Sequence, residues 1–126
     1  MSRMFVPGPV NVADKILQTQ AAPMLPHRSK EFEALYRRAS EKAQQLFFTQ
    51  YRVFLTASSG TGLQEAAIRN FVDKKVLSCV NGAFADRWYE VAGSNGKDVE
   101  KLSADWDQPI RPDLVADAVR KGGFEA

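Results

Sequence analysis

From Tyr51 onward the sequence alternates short β-branched or aromatic runs with stretches of helical spacing, and this alternation limits the fold more than any other feature. Residues 51–57 (Tyr-Arg-Val-Phe-Leu-Thr-Ala) read as a strand that stops at a Ser/Gly cluster. A helix follows, with Leu63, Ala66, Ala67 and Phe71 on its inner face, beginning near Gly62 and ending near Asp73. Residues 76–80 then read as a buried strand and Asn81-Gly82 as a turn. Phe84, Trp88, Val91 and Ala92 mark the inner face of the next helix, closed by Gly93. Residues 99–102 form another strand, and 106–109 a connection. Pro112 opens a helix through Leu114, Val115, Ala118 and Val119, which Gly122-Gly123 ends, with Phe124 entering a further strand. A β-α-β-α-β-α order calls for an α/β fold with a mainly parallel sheet and crossover helices, because parallel neighbours cannot be joined by a tight hairpin.

The first fifty residues differ. Phe32, Leu35, Tyr36, Ala39, Ala43, Leu46 and Phe47 fall on one face of a helix spanning 29–48. Ser29 is placed to cap it, and Glu31 and Glu33 put negative charge at the positive end of its dipole. A shorter helix over 13–22 would be capped by Asn11 and ended by Pro23.

At 126 residues, 44% hydrophobic and 25% charged, the chain has the size and composition of one soluble domain. No apolar run approaches the roughly 18 residues of a membrane helix, and Pro7, Gly8 and Pro9 interrupt the first apolar stretch, so a cytoplasmic location is expected. Cys79 and His27 are single, too few for a Cys/His metal site, and no metal is expected. The net charge of +2 comes without a basic run, which argues against nucleic acid as a partner.

Two loops carry possible chemistry. Thr56-Ala-Ser-Ser-Gly-Thr-Gly62 stands between a predicted strand and a predicted helix. Helix-start amides point outward there, glycine admits a ligand to the backbone, and Ser59 and Thr61 add hydroxyls, so an anion such as a phosphate would be held. The loop has neither the Gly-Lys-Ser/Thr ending of a nucleotide P-loop nor the glycine spacing of a dinucleotide site. A small-residue turn before a capped helix would read the same way. The second loop, Val80-Asn-Gly-Ala-Phe84, also joins a strand end to a helix, and both would lie at the carboxyl edge of the sheet, where open α/β folds place ligands. Phe84 would either stack on a flat ring or make the first core contact of its helix.

Four segments together resemble class V pyridoxal-phosphate aminotransferases, nearest the alanine–glyoxylate and serine–pyruvate group. They are Pro7-Gly-Pro-Val-Asn-Val12, His27-Arg-Ser-Lys-Glu-Phe32, Ser59-Gly-Thr-Gly62 with Glu65-Ala-Ala67, and Val80-Asn-Gly-Ala-Phe-Ala-Asp-Arg87. The resemblance implies the N-terminal part of the large domain of a fold-type I transferase, with residues 1–50 an N-terminal segment and 51–126 the first, truncated part of the cofactor domain. It assigns the pyridoxal 5'-phosphate phosphate group to Ser59, Gly60 and Thr61, ring stacking to Phe84 (often tryptophan in the family), and a substrate contact to Gly8, although Pro7-Gly-Pro9 by itself reads rather as a rigid turn. It implies an amino acid and a 2-oxo acid as substrates and a homodimer. The family's strand order, 3-2-4-5-6-7-1, would set the strand at 76–80 beside that at 99–102 and pair 51–57 with a strand outside this stretch.

The family's Schiff-base lysine, its aspartate at the pyridine nitrogen and its substrate-binding arginine fall beyond residue 126. The eight lysines present lie on predicted polar helix faces or in loops. The chain is thus expected to be an N-terminal fragment with no catalytic residue of its own, inactive alone, from an enzyme moving an amino group from alanine or serine to glyoxylate or pyruvate. The alternatives are another class V enzyme, such as a phosphoserine aminotransferase or cysteine desulfurase, and a non-catalytic interaction module.

Overall fold

A computed structural model describes residues 3–126 and divides the chain after Leu55 into two compact units. The first unit holds α1 (Asp14–Gln20) and α2 (Lys30–Leu46). Ser29 caps α2 as its sequence implies, its hydroxyl accepting from the Phe32 amide at 3.1 Å. The start of α1 corrects the sequence reading. Ala13 occupies the cap position without a side-chain bond, and the Asn11 carboxamide oxygen accepts from the Met4 amide at 2.8 Å instead, turned toward the preceding chain. Neither helix contains a buried residue.

The strand expected over 51–57 is absent. The stretch contains no strand because no other strand runs beside it, and a strand persists only where a neighbour takes up its amides and carbonyls. Side chains of α2 supply some of those partners. Gln44 Nε2 donates to the Tyr51 carbonyl at 2.9 Å, and the Tyr36 hydroxyl accepts from the Leu55 amide at 3.3 Å.

The second unit runs α3 (Gly60–Phe71), β1 (Lys75–Val80), α4 (Ala83–Ser94), β2 (Asp98–Ser103) and α5 (Pro112–Lys121). β1 and β2 pair in parallel, with Lys75 opposite Asp98 and Val80 opposite Ser103, the neighbours that the resemblance implies. Ile68, Val72, Val76, Val91 and Ala92 form the core, and Val99 packs against them. Each fully buried valine is worth about 1.5–3 kcal/mol over an exposed one, so α3, β1 and α4 are held chiefly by this cluster. The unit is the small α/β piece the sequence implies, lacking its first expected strand.

Two helix boundaries differ from the sequence reading, whereas α5 begins and ends where expected. α3 begins at Gly60 rather than near Gly62. α4 passes through Gly93 and stops at Ser94, and the left-handed residue that follows is Gly96, at φ 72°. Pro112 sits in the first turn of α5, and Gly122 and Gly123, at φ 87° and 88°, turn the chain out of it. No strand begins at Phe124. Residues 124–126 nevertheless run alongside β1, with the Glu125 amide donating to the Lys75 carbonyl at 3.0 Å and the Leu77 amide donating to the Ala126 carbonyl at 2.9 Å.

Candidate cofactor site

The two loops singled out in the sequence both become helix starts within the second unit. α3 enters β1 through only three residues, so it must run back along the strand, and its N-terminus lies at the carboxyl edge of β1. α4 leaves that same edge through Asn81 and Gly82 and packs against α3. The N-termini of two helices are therefore turned toward one edge of the sheet, where their dipoles favour negative charge.

Ser59 is the cap residue of α3, in extended conformation at φ −68° and ψ 161°, but its side chain makes no capping bond. Gly60 and Thr61 supply the first two amides of the helix, which have no carbonyl one turn behind them to bond. The Gly62 amide is already used, donating to the Ser59 carbonyl at 3.0 Å, so the opening is two amides wide. A Cβ at Gly60 would meet nothing within 4 Å, leaving the backbone open to a ligand. Ser59, Gly60 and Thr61 are all exposed. Among the described helices α3 alone has no acidic residue in its first turn, whereas the others carry Asp14, Glu31 with Glu33, Asp86 and Asp113. The positive end of α3 is thus left uncompensated by its own sequence.

Phe84 occupies the first turn of α4 and is 79% exposed. The structure discards its reading as the first core contact of that helix, since Val91 and Ala92 make the core contacts two turns later. Gly82 before it is fully extended. Gly8 lies in the other unit, exposed in a bend before α1 with open space around its Cα.

The sequence reading overlooked Ser58. Its hydroxyl donates to the Ser59 carbonyl at 3.0 Å and presses against the Cα of Gly62, where a Cβ would collide with it. The Ser58 hydroxyl ends a rotatable side chain, so this close approach favours glycine at position 62 without demanding it. Asp86, in the first turn of α4, is drawn aside to the Lys101 ammonium at 2.7 Å. Among the described residues no group of three or more His, Cys, Asp or Glu side chains is placed to hold a metal ion, and no helix is long and apolar enough to cross a membrane.

Comparison with known proteins places this arrangement. No family model matches the chain. It is 39% identical over 113 residues to the small subunit of a soluble hydrogenase from Synechococcus sp. (strain PCC 6716), covering 87% of this chain and 29% of that protein. It is 31% identical over 122 residues to a serine–glyoxylate aminotransferase from Methylorubrum extorquens, covering 94% and 30%. The crystal structure of an alanine–glyoxylate aminotransferase from Nostoc sp. superposes with a TM-score of 0.84 at 27% identity, over 91% of this chain and 31% of that one. The relatives it matches include class V-type aminotransferases, so the chain is similar to part of an aminotransferase. It spans about 30% of the length of the curated relatives it matches. Ser59, Gly60, Thr61 and Phe84 all fall in the second unit, on the two helix starts, and Gly8 in the first.

Proposed function

We propose that the chain supplies the phosphate-binding loop and the ring-stacking residue of a pyridoxal-phosphate-dependent aminotransferase. The observation that carries this reading is the start of α3, which is open and free of acidic side chains. The residues there suit a phosphate dianion. Two backbone amides, two exposed hydroxyls and a glycine with open space around it present donors without a competing carboxylate.

When bound, pyridoxal phosphate supplies the carbonyl that accepts an amino group and the ring that draws electrons from the reacting carbon. The amides of Gly60 and Thr61 and the hydroxyls of Ser59 and Thr61 would hold its phosphate group. The exposed Phe84 ring would stack on the cofactor ring and keep water from it, less extensively than tryptophan would. Residues 51–126 form the first part of the cofactor domain and residues 1–50 an N-terminal segment. The complete protein moves an amino group from alanine or serine to glyoxylate or pyruvate, as a homodimer in the cytoplasm. The covalent cofactor lysine is supplied from outside these 126 residues. Within them, Lys75 is paired with Glu100, Lys101 with Asp86, and Lys97 donates to the Asp73 carbonyl.

Calorimetric titration of the chain with pyridoxal phosphate, alongside Phe84→Ala, tests the reading. Saturable binding that weakens several-fold in the variant, with no transfer from alanine to glyoxylate by the chain alone, is expected. Because Phe84 is exposed, its removal should change stability by no more than about 0.5 kcal/mol. Failure to bind, or an unchanged affinity in Phe84→Ala, would overturn the assignment.

A further inference from the structure

We propose that Lys101 is a positioning residue that fastens the first turn of α4 to β2 and so fixes the direction in which Phe84 is presented. The inference rests on the stacking role proposed above for Phe84. α4 is held to the core through Val91 and Ala92, two turns beyond that residue. Its start is poorly secured from within, since Gly82 stands at the cap position and offers no side chain to the first amides. A helix end of this kind frays unless something outside the helix holds it.

Lys101 supplies that hold. In the parallel pairing Val99 stands opposite Val76 and Lys101 opposite Ser78, and alternate residues of a strand share a face. Lys101 therefore rises from the face of the sheet on which Val76 and Val99 pack with Val91 and Ala92 of α4. Its ammonium donates to the Asp86 carboxylate at 2.7 Å and lies 4.8 Å from the centre of the Tyr89 ring. Asp86 and Tyr89 are three residues apart and so neighbours on one stripe of the helix. One cation thus engages α4 at two points, the first of them only two residues from Phe84. At 3.6 residues per turn Phe84 lies about 200° around the axis from Asp86. Any rotation of this turn that frees Asp86 swings the Phe84 ring with it.

An ion pair between freely exposed side chains holds little. This one is partly covered, the Lys101 side chain 35% and the Asp86 side chain 44% exposed, and the Tyr89 ring adds a second attraction for the same ammonium. The neighbouring pair, Arg87 with Glu90, joins two residues of α4 and cannot hold it to the sheet.

Hydrogen exchange and calorimetric titration of the full chain with pyridoxal phosphate test this together. The Asp86 amide, which donates to the Gly82 carbonyl at 2.9 Å, reports on the first turn of α4, and the Asn95 amide, bonded to the Val91 carbonyl at 3.1 Å, on its far end. In Lys101→Met the protection factor of Asp86 should fall roughly three- to tenfold while that of Asn95 holds. Lys101→Arg, which keeps the charge, should restore it. Affinity for pyridoxal phosphate should also fall in Lys101→Met, but adding Lys101→Met to Phe84→Ala should cost nothing further, because Lys101 acts through the ring. A lysine acting on the phosphate by its own charge would weaken both backgrounds equally. Unchanged Asp86 protection in Lys101→Met, equal loss at Asp86 and Asn95, no recovery in Lys101→Arg, or additive losses of affinity would overturn the positioning role alone. Equal affinity in wild-type protein and Phe84→Ala would overturn the stacking role, and the positioning role with it.

Discussion

Helices α2 and α3 both begin after a serine in extended conformation, Ser29 at φ −81° and Ser59 at φ −68°, yet the two serines are put to opposite uses. Ser29 turns its hydroxyl onto the Phe32 amide, and Glu31 and Glu33 follow in the first turn. That helix start is satisfied by its own sequence. Ser59 makes no such bond, and Gly-Thr-Gly follows in place of acids. A capped and charged N-terminus stabilises its helix, whereas one left open forgoes that stabilisation and keeps its donors for something else. The contrast separates a helix start satisfied by its own sequence from one left open, as the proposed phosphate site requires, where the cap residue is the same.

The most forceful way to break the comparison is to give α3 what α2 has. Thr61→Glu places a carboxylate in the first turn of α3, which should raise helix stability by about 0.3–1 kcal/mol. The same charge repels a phosphate, so affinity for pyridoxal phosphate should fall at least about tenfold, or about 1.4 kcal/mol. Calorimetry and urea unfolding of the one variant would show these changes with opposite sign. Equal affinity in both proteins would mean that the anion sits elsewhere.

Removing the two serines sharpens the contrast. Ser29→Ala should destabilise the chain by about 1 kcal/mol through loss of a formed cap. Ser59→Ala, which breaks no capping bond, should cost no more than a few tenths. Denaturant midpoints at constant slope would measure both, and equal losses would show that Ser59 caps its helix in solution.

A smaller effect concerns pH. Hydrogen bonds from its own backbone amide and from the Ser29 side chain hold Glu31 below the usual glutamate range. A lowered folded-state pKa means the contribution is present above the unfolded value and is lost as pH falls through the folded one. The start of α2 should therefore loosen on acidification, seen as faster exchange at Phe32, and Glu31→Gln should remove the pH dependence. The first turn of α3 has no carboxylate to titrate and should show no matching step.

Much of this was legible in the residues. The spacing of Phe32, Ala39 and Ala43, the cap at Ser29, the alternation at 76–80 and Pro112 at a helix start are local signals, and local physics decides them. The stretch 51–57 has strand composition, but a strand is a pairwise object, and no neighbour for it exists among the described residues. Asn11 and Ser59 both have the chemistry of a cap, and neither caps. Which way a short polar side chain turns depends on what competes for it, and for Asn11 that was the Met4 amide. The loop at Ser59 could be placed from sequence at the edge of the sheet, whereas the absence of a cap at α3 and the exposure of Phe84 required the fold.

The central claim is that an anion is held at the start of α3 and not at the start of α2. Amide chemical shifts recorded while the chain is titrated with pyridoxal phosphate, with inorganic phosphate as a parallel probe, test it directly. The account predicts the largest saturable shifts at Gly60 and Thr61, in both titrations, with Glu31 and Phe32 unmoved. Shifts centred on residues 30–33, or none at residues 60–61, would contradict it.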